Sequence, residues 1–198
     1  MITKHKENIL ARTSPRTRSA LLLAHPGRSD KLAKGVELRI GTANIGTLRG
    51  RSGEVVEMVG RRRLDFCCLQ ETRWKGEGAR MLGEYKVFWK GCADGVAGVG
   101  VLVAKRWIEK VISVNRVSER LLVLRTRVGR TVLNLVIVYA PQVGRTMDEK
   151  EEFLILLGKT VSAVDAAEQL VVCGDLNGHV GAKSDGFGGV HGGFGFGE

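Results

Sequence analysis

The chain has 198 residues, 43% of them hydrophobic, enough for one sizeable core, and nothing approaches the ~18 unbroken apolar residues that a membrane-spanning helix needs. Lysine and arginine total 31 against 21 acids, a formal charge of +10 that suits a polyanionic partner such as nucleic acid. The four cysteines (Cys67, Cys68, Cys92 and Cys173) form no C-x-x-C pair, which argues against zinc, and three of them sit in apolar runs where a free thiol acts as a small buried hydrophobe. The pattern predicts a reducing, intracellular setting without disulfides.

Residues 1–35 carry eight basic residues, two acids and no Phe, Trp or Tyr, so they hold six of the ten net charges and are predicted to be a disordered basic tail. The folded domain is predicted over residues 36–198. Leu38 to Ala43 is the first strand, running into Asn44, Ile45 and Gly46. Ser52 is the expected N-cap of a helix to about Arg62, with Val55, Val56, Met58 and Val59 on its apolar face. Leu64 to Leu69 reads as a strand buried on both faces, ending in Gln70-Glu71-Thr72-Arg73-Trp74, with a loop at Lys75 to Gly78. Strands follow at Tyr85 to Trp89, Val99 to Ala104, Val111 to Val114 and Leu121 to Val128, and Gly129-Arg130 turns the last of these into Val132 to Tyr139. Ala140-Pro141 stops that strand. Thr146 and Glu149 spell a capping box for a helix to about Ala167, with Phe153, Leu154, Leu157, Val161 and Val164 on its inner face. A final β-prone run, Leu170 to Cys173, ends in Gly174-Asp175-Leu176-Asn177. Residues 178–198 hold nine glycines and no candidate core element.

Four strand ends therefore carry polar groups: Asn44, Glu71, Tyr139 and the Asp175/Asn177 pair. Each alone has an ordinary explanation, as a turn former, a loop acid or a core aromatic with its hydroxyl at the surface. Their coincidence on successive strand ends is what points to chemistry, because open α/β sheets place their sites there. The residue types suit phosphodiester hydrolysis. Glu71 is a hard oxygen ligand of the kind Mg²⁺ takes one or two of while keeping several waters. Asp175 can orient or deprotonate an attacking water, and Asn177 and Tyr139 can donate hydrogen bonds to a phosphate as charge builds on it.

The motifs T-A-N-I-G at 42–46, L-Q-E-T-R-W at 69–74, V-Y-A-P at 138–141 and G-D-L-N at 174–177 resemble, in order and separation, those of the endonuclease/exonuclease/phosphatase superfamily of DNase I-like proteins. The phrases S-E-R-L-L at 118–122 and G-D-L-N-G-H-V-G at 174–181 are most similar to endonuclease domains of RTE-type non-LTR retrotransposons, a group whose phrases also occur in proteins labelled craniofacial development protein 2-like. The resemblance implies a four-layer α/β sandwich, two packed β-sheets flanked by helices. It implies Mg²⁺, with Mn²⁺ as an alternative, at Glu71, and Asn44 near metal and phosphate. Tyr139 would then contact the scissile phosphate, Asp175 activate water and Asn177 steady the transition state. DNA is the implied partner and the nucleus the implied location. Arg73, Trp74 and Lys75 would lie along a DNA backbone, with loop packing an equal reading of Trp74.

The sequence also departs from the pattern. The superfamily carries a further Asp and a closing Ser-Asp-His motif well beyond G-D-x-N. Ser184-Asp185 is followed by Gly186 and lies too early, and His179 and His191 stand in loop phrases. The expectation is a C-terminally truncated copy, incomplete at that end of the fold and inactive or weak as a DNA endonuclease. The alternatives are a catalytically dead nucleic-acid-binding module and a fragment with no stable role.

Overall fold

Twice along the chain an apolar strand, a helix and a second apolar strand follow one another, and both triplets fold as parallel β-α-β units. The structure, a computed structural model, describes residues 37–178 together with Leu23–Ala24. Its first half contains β1 (Leu23–Ala24), β2 (Ile40–Asn44), α1 (Ser52–Arg61), β3 (Phe66–Gln70), β4 (Glu77–Leu82), β5 (Tyr85–Lys90) and β6 (Val99–Ala104). The second half contains α2 (Lys105–Ile108), β7 (Val111–Ser118), β8 (Leu121–Val128), β9 (Thr131–Tyr139), α3 (Met147–Ser162) and β10 (Gln169–Asp175). They form two five-stranded mixed sheets, ordered β2-β3-β6-β5-β4 and β1-β10-β9-β8-β7. The parallel pairs are β2 with β3 and β9 with β10, each joined by one of the two longer helices.

Side-chain alternation sorts the apolar residues into three layers. Ile40, Phe66, Cys68, Val99, Val101 and Val103 of one sheet meet Leu122, Leu124, Leu135, Ile137, Val171 and Cys173 of the other. The opposite face of the first sheet packs on α1 through Val55, Val59, Cys67, Leu69 and Leu102. The outer face of the second packs on α3 through Phe153, Val123, Val136, Val138 and Val172. The result is the four-layer DNase I-like sandwich that the resemblance implies. The cysteines are free, and burial pushes the Cys67 thiol up to about 12, as suits a core residue. Among the described residues no helix is long and apolar enough to cross a membrane.

Several local expectations need correction. Ser52 is the first residue of α1 rather than its cap; Arg51 takes that position with no side-chain capping bond, and pairs instead with Glu54 at 3.0 Å. The expected loop at Lys75 to Gly78 runs into β4, an exposed edge strand whose sequence lacks alternation but which pairs residue for residue with β5. The capping box at Thr146 forms as read, but α3 stops at Ser162, short of Ala167. Asp165 ends that region as a turn, its carboxylate accepting from the Ala167 amide at 2.7 Å. Leu154 lies on the outer side of α3, 62% exposed. Leu23–Ala24, inside the expected basic tail, pairs antiparallel with β10. Ser184, Asp185, His179 and His191 lie outside the described residues.

One buried carboxylate ties the entry end of the first sheet together. Asp65, 2% exposed, accepts at Oδ1 from Arg106 Nε at 2.7 Å and Trp107 Nε1 at 2.8 Å, and at Oδ2 from the Arg39 amide at 2.9 Å. Asp65→Ala leaves the buried indole N–H and the strand amide without acceptors. We expect a loss of about 3 kcal/mol, read as a lower urea midpoint at unchanged slope.

Candidate active site

In a parallel pair both strands finish at the same edge, so each β-α-β unit delivers two chain ends side by side. Asn44 stands opposite Gln70 in the β2–β3 register, and Asp175 opposite Tyr139 in the β10–β9 register. Along each of these strands the residues facing the other sheet change from apolar to polar at the exit: Ile40 gives way to Thr42 and Asn44, Phe66 and Cys68 to Gln70, Ile137 to Tyr139, and Cys173 to Asp175. The inter-sheet core is therefore closed at one end by polar groups.

Those groups are hydrogen-bonded to one another across the two sheets. Asn44 Nδ2 donates to Glu71 Oε1 at 2.9 Å and to Asp175 Oδ2 at 3.0 Å. Its Oδ1 accepts from the Gly46 amide at 3.2 Å, which fixes the side chain's orientation. Tyr139 OH donates to the same Glu71 Oε1 at 3.1 Å, and Gln142 Nε2 donates to Tyr139 OH at 3.3 Å. Glu71 Oε2 accepts from Arg73 Nη2 at 3.0 Å. Asp175, 3% exposed, accepts at Oδ1 from the Asn177 amide at 3.0 Å. Asn177 Nδ2 donates to the Ala140 carbonyl at 2.8 Å, which ties the G-D-L-N end to the V-Y-A-P end.

The backbone here is held in conformations that L-residues adopt at a cost. Among the described residues four non-glycine residues have a positive φ, and three belong to this region: Glu71 at 56°, Arg73 at 51° and Asn177 at 46°. The Thr72 amide donates to Gly98 O and the Arg73 amide to Ala97 O, both at 3.0 Å, so the approach to β6 imposes the turn. Gly174 permits another close approach. A Cβ there would lie 1.9 Å from the Val138 carbonyl oxygen, so the glycine of G-D-L-N lets β10 reach far enough beside β9 to present Asp175.

The electrostatics follow from these contacts. Burial would raise the Glu71 carboxyl, but hydrogen bonds from Asn44, Arg73 and Tyr139, with the charge of Arg73, hold it below the ordinary carboxylate range. Burial, then the neighbouring Glu71 charge and hydrogen bond, push the Tyr139 phenol up to about 12 against the opposing pull of Arg120. Tyr139 is thus a neutral donor at physiological pH. Arg120, from S-E-R-L-L, lies over the Tyr139 ring at 5.1 Å and donates to the Tyr139 and Ala140 carbonyls at 3.3 and 3.4 Å.

All the residues expected on strand ends thus converge: Asn44, Glu71, Tyr139, Asp175 and Asn177. Of the three expected along a nucleic-acid strand, Arg73 pairs with Glu71, and Trp74 packs edge-on to Trp89 at 5.0 Å beneath the Arg80 guanidinium at 4.0 Å. Lys75 is exposed, and its carbonyl accepts from Trp89 Nε1 at 3.3 Å. Thr42, Gln70, Arg120 and Gln142 were not among the expected site residues. The first two share a strand face with Asn44 and Cys68, so alternation carried a signal for them; the two others are recruited by tertiary contact. Gln70 is fully buried, and its Oε1 accepts from Thr42 Oγ1 at 3.2 Å. A cavity of about 560 Å³ lies at the opposite end of the first sheet, where Arg39 pairs with Glu37 and Arg106 with Asp65.

Residues 41–190 match the model of the Endonuclease/Exonuclease/phosphatase family, and the chain belongs to that family. No curated protein matches it by sequence. Among solved structures it is similar in fold to the catalytic domain of Xenopus laevis APE2 (TM-score 0.59, 15% identity) and to an AP endonuclease from Archaeoglobus fulgidus (0.56, 24%). In both comparisons 71% of this chain is matched, and it spans 58% of the length of the other chain. The endonuclease domain of TRAS1, a telomere-specific non-LTR retrotransposon, is similar at TM-score 0.52 and 17% identity, over 75% of this chain and 62% of that one.

Asn44→Asp tests the shared amide. It replaces a donor with a third carboxylate between Glu71 and Asp175, and like charges raise the folded-state pKa values of the group. The variant is therefore expected to be destabilised by about 2 kcal/mol at pH 7. Protonation relieves the repulsion, so the gap in thermal midpoint between variant and parent should narrow from pH 7 to pH 5. A gap independent of pH would count against charge repulsion as its cause.

Proposed function

We propose that this site is the centre of a metal-dependent DNA endonuclease of the retrotransposon type, acting on phosphodiester bonds. The observation that carries the reading is the Asn44 amide bonded at 2.9 and 3.0 Å to carboxylates from two different sheets, Glu71 and Asp175. The donor set fits Mg²⁺, or Mn²⁺ in its place: hard carboxylate oxygens, of which Glu71 Oε2 is the outward-facing one. Bound at Glu71, such an ion would polarise a phosphoryl oxygen and neutralise charge on the departing oxygen.

The chain's own residues do the rest. Asp175, held at both oxygens by Asn44 and the Asn177 amide, orients a water and takes its proton as the water oxygen attacks phosphorus and the P–O bond opposite breaks. Tyr139, a neutral phenol whose one proton rests on Glu71, turns that proton to a phosphoryl oxygen bound on the Glu71 side of the site. Asn44 holds the two carboxylates apart at a fixed separation. Asn177 keeps the Asp175 loop against Ala140. The exposed cations Arg73 and Lys75 supply attraction for the backbone of DNA, which also agrees with the net charge of +10.

Glu71→Gln is expected to abolish Mn²⁺ binding detected by electron paramagnetic resonance and to bring the weak Mg²⁺-dependent plasmid nicking expected of this chain down to background. Nicking that persists at the parent rate in this variant would defeat the proposal. Asp175→Asn should retain Mn²⁺ binding and lose nicking.

A further inference from the structure

The two oxygens of Glu71 have different surroundings. Oε1 faces inward and is taken by Asn44 Nδ2 at 2.9 Å and Tyr139 OH at 3.1 Å. Oε2 faces outward and accepts from Arg73 Nη2 at 3.0 Å. The oxygen open to an ion from solvent is therefore the one that carries a guanidinium. A divalent cation and an arginine cannot both sit at contact distance on that oxygen without strong mutual repulsion.

The two partners also differ in freedom. Glu71 is 14% exposed and fixed by two interior donors, whereas the Arg73 side chain is 48% exposed. The backbone between them is pinned by the Thr72 and Arg73 amide bonds to Gly98 and Ala97, with Glu71 and Arg73 both at positive φ. So the turn directs Arg73 back across Thr72 onto Glu71, and only the outer part of the arginine can move away.

Resting on the reading of Glu71 as the metal ligand, we propose that Arg73 is a displaceable counterion that couples metal binding to nucleic-acid binding. Metal at Glu71 moves the guanidinium off Oε2, and a backbone phosphate at the same rim becomes its new partner. Metal alone must break the Glu71–Arg73 pair; metal with DNA exchanges it for an Arg73–phosphate pair. Each ligand therefore raises affinity for the other, as reciprocal linkage requires.

The test uses the full chain and its Arg73→Ala and Arg73→Lys variants. Mn²⁺ affinity is read by electron paramagnetic resonance without DNA. Affinity for a short labelled DNA duplex is read by anisotropy in EDTA and in Mn²⁺, before any cleavage. Arg73→Ala should bind Mn²⁺ about three- to tenfold more tightly than the parent, because a competing cation is gone. It should bind DNA more weakly, and the gain in DNA affinity on adding Mn²⁺ should shrink by the same factor. Arg73→Lys keeps a cation at the site and should stay within about twofold of the parent in Mn²⁺ affinity. If Arg73→Ala leaves Mn²⁺ affinity unchanged or weaker while Glu71→Gln abolishes it, the counterion role is wrong and the metal assignment stands. If Glu71→Gln keeps parental Mn²⁺ affinity, the metal assignment itself is wrong.

Discussion

The Asn44 side chain has two amide protons, and the structure gives one to a carboxylate of each sheet. A carboxylate at the end of a buried strand repels another brought near it, and the sandwich brings Glu71 and Asp175 to the same amide. A neutral double donor between them satisfies one oxygen of each carboxylate without a cation in the interior. Three further contacts extend this bridge: Tyr139 on the Glu71 oxygen that Asn44 also holds, Asn177 on the other oxygen of Asp175, and Ala140 on Asn177. An alanine at position 44 would leave the buried Asp175 and the largely buried Glu71 facing each other across the sheet interface.

That bridge depends in turn on the two parallel pairs. An antiparallel pair would send its strand ends to opposite edges and bring only one polar terminus to the site. Because α1 and α3 carry the chain back along the outer faces, β2 and β3 finish together, as do β9 and β10. The inter-sheet core then needs only to keep those two edges facing one another. Small residues serve that purpose where bulk would separate the strands, as at Gly174, whose missing side chain leaves room for the Val138 carbonyl.

Much of this can be read from the sequence, for a physical reason. A strand buried on both faces is a near-continuous apolar run with polar residues gathered at its end; Asn44, Glu71, Tyr139 and Asp175 each stand at such an end. The capping box at Thr146 is equally plain, since it is a local pattern. What escapes is whatever tertiary contact decides. β4 has no apolar alternation because one of its edges and most of its side chains face solvent, so only its pairing with β5 makes it a strand. The inward-pointing Thr42, two positions before the end of β2, and Gln70, the last residue of β3, show how polar residues within a strand can belong to a site. The ion pair between Arg73 and Glu71 is hidden because residues two apart meet here only through two left-handed backbone angles.

The first sheet is drawn from residues 40–104, and the second, apart from Leu23–Ala24, from residues 111–175. Each is nearly contiguous in the chain, yet the contact that joins the half-sites spans 131 positions. A ribosome releasing this polypeptide would thus expose a nearly finished first layer, with Glu71 and Asn44 already adjacent, well before Asp175 emerged. During that interval β8 and β9 can already cover part of the inner face of the first sheet, and the part that meets β10 stays open longest. β10, the last of the described strands to leave the tunnel, therefore completes the polar bridge and the inter-sheet core in the same event.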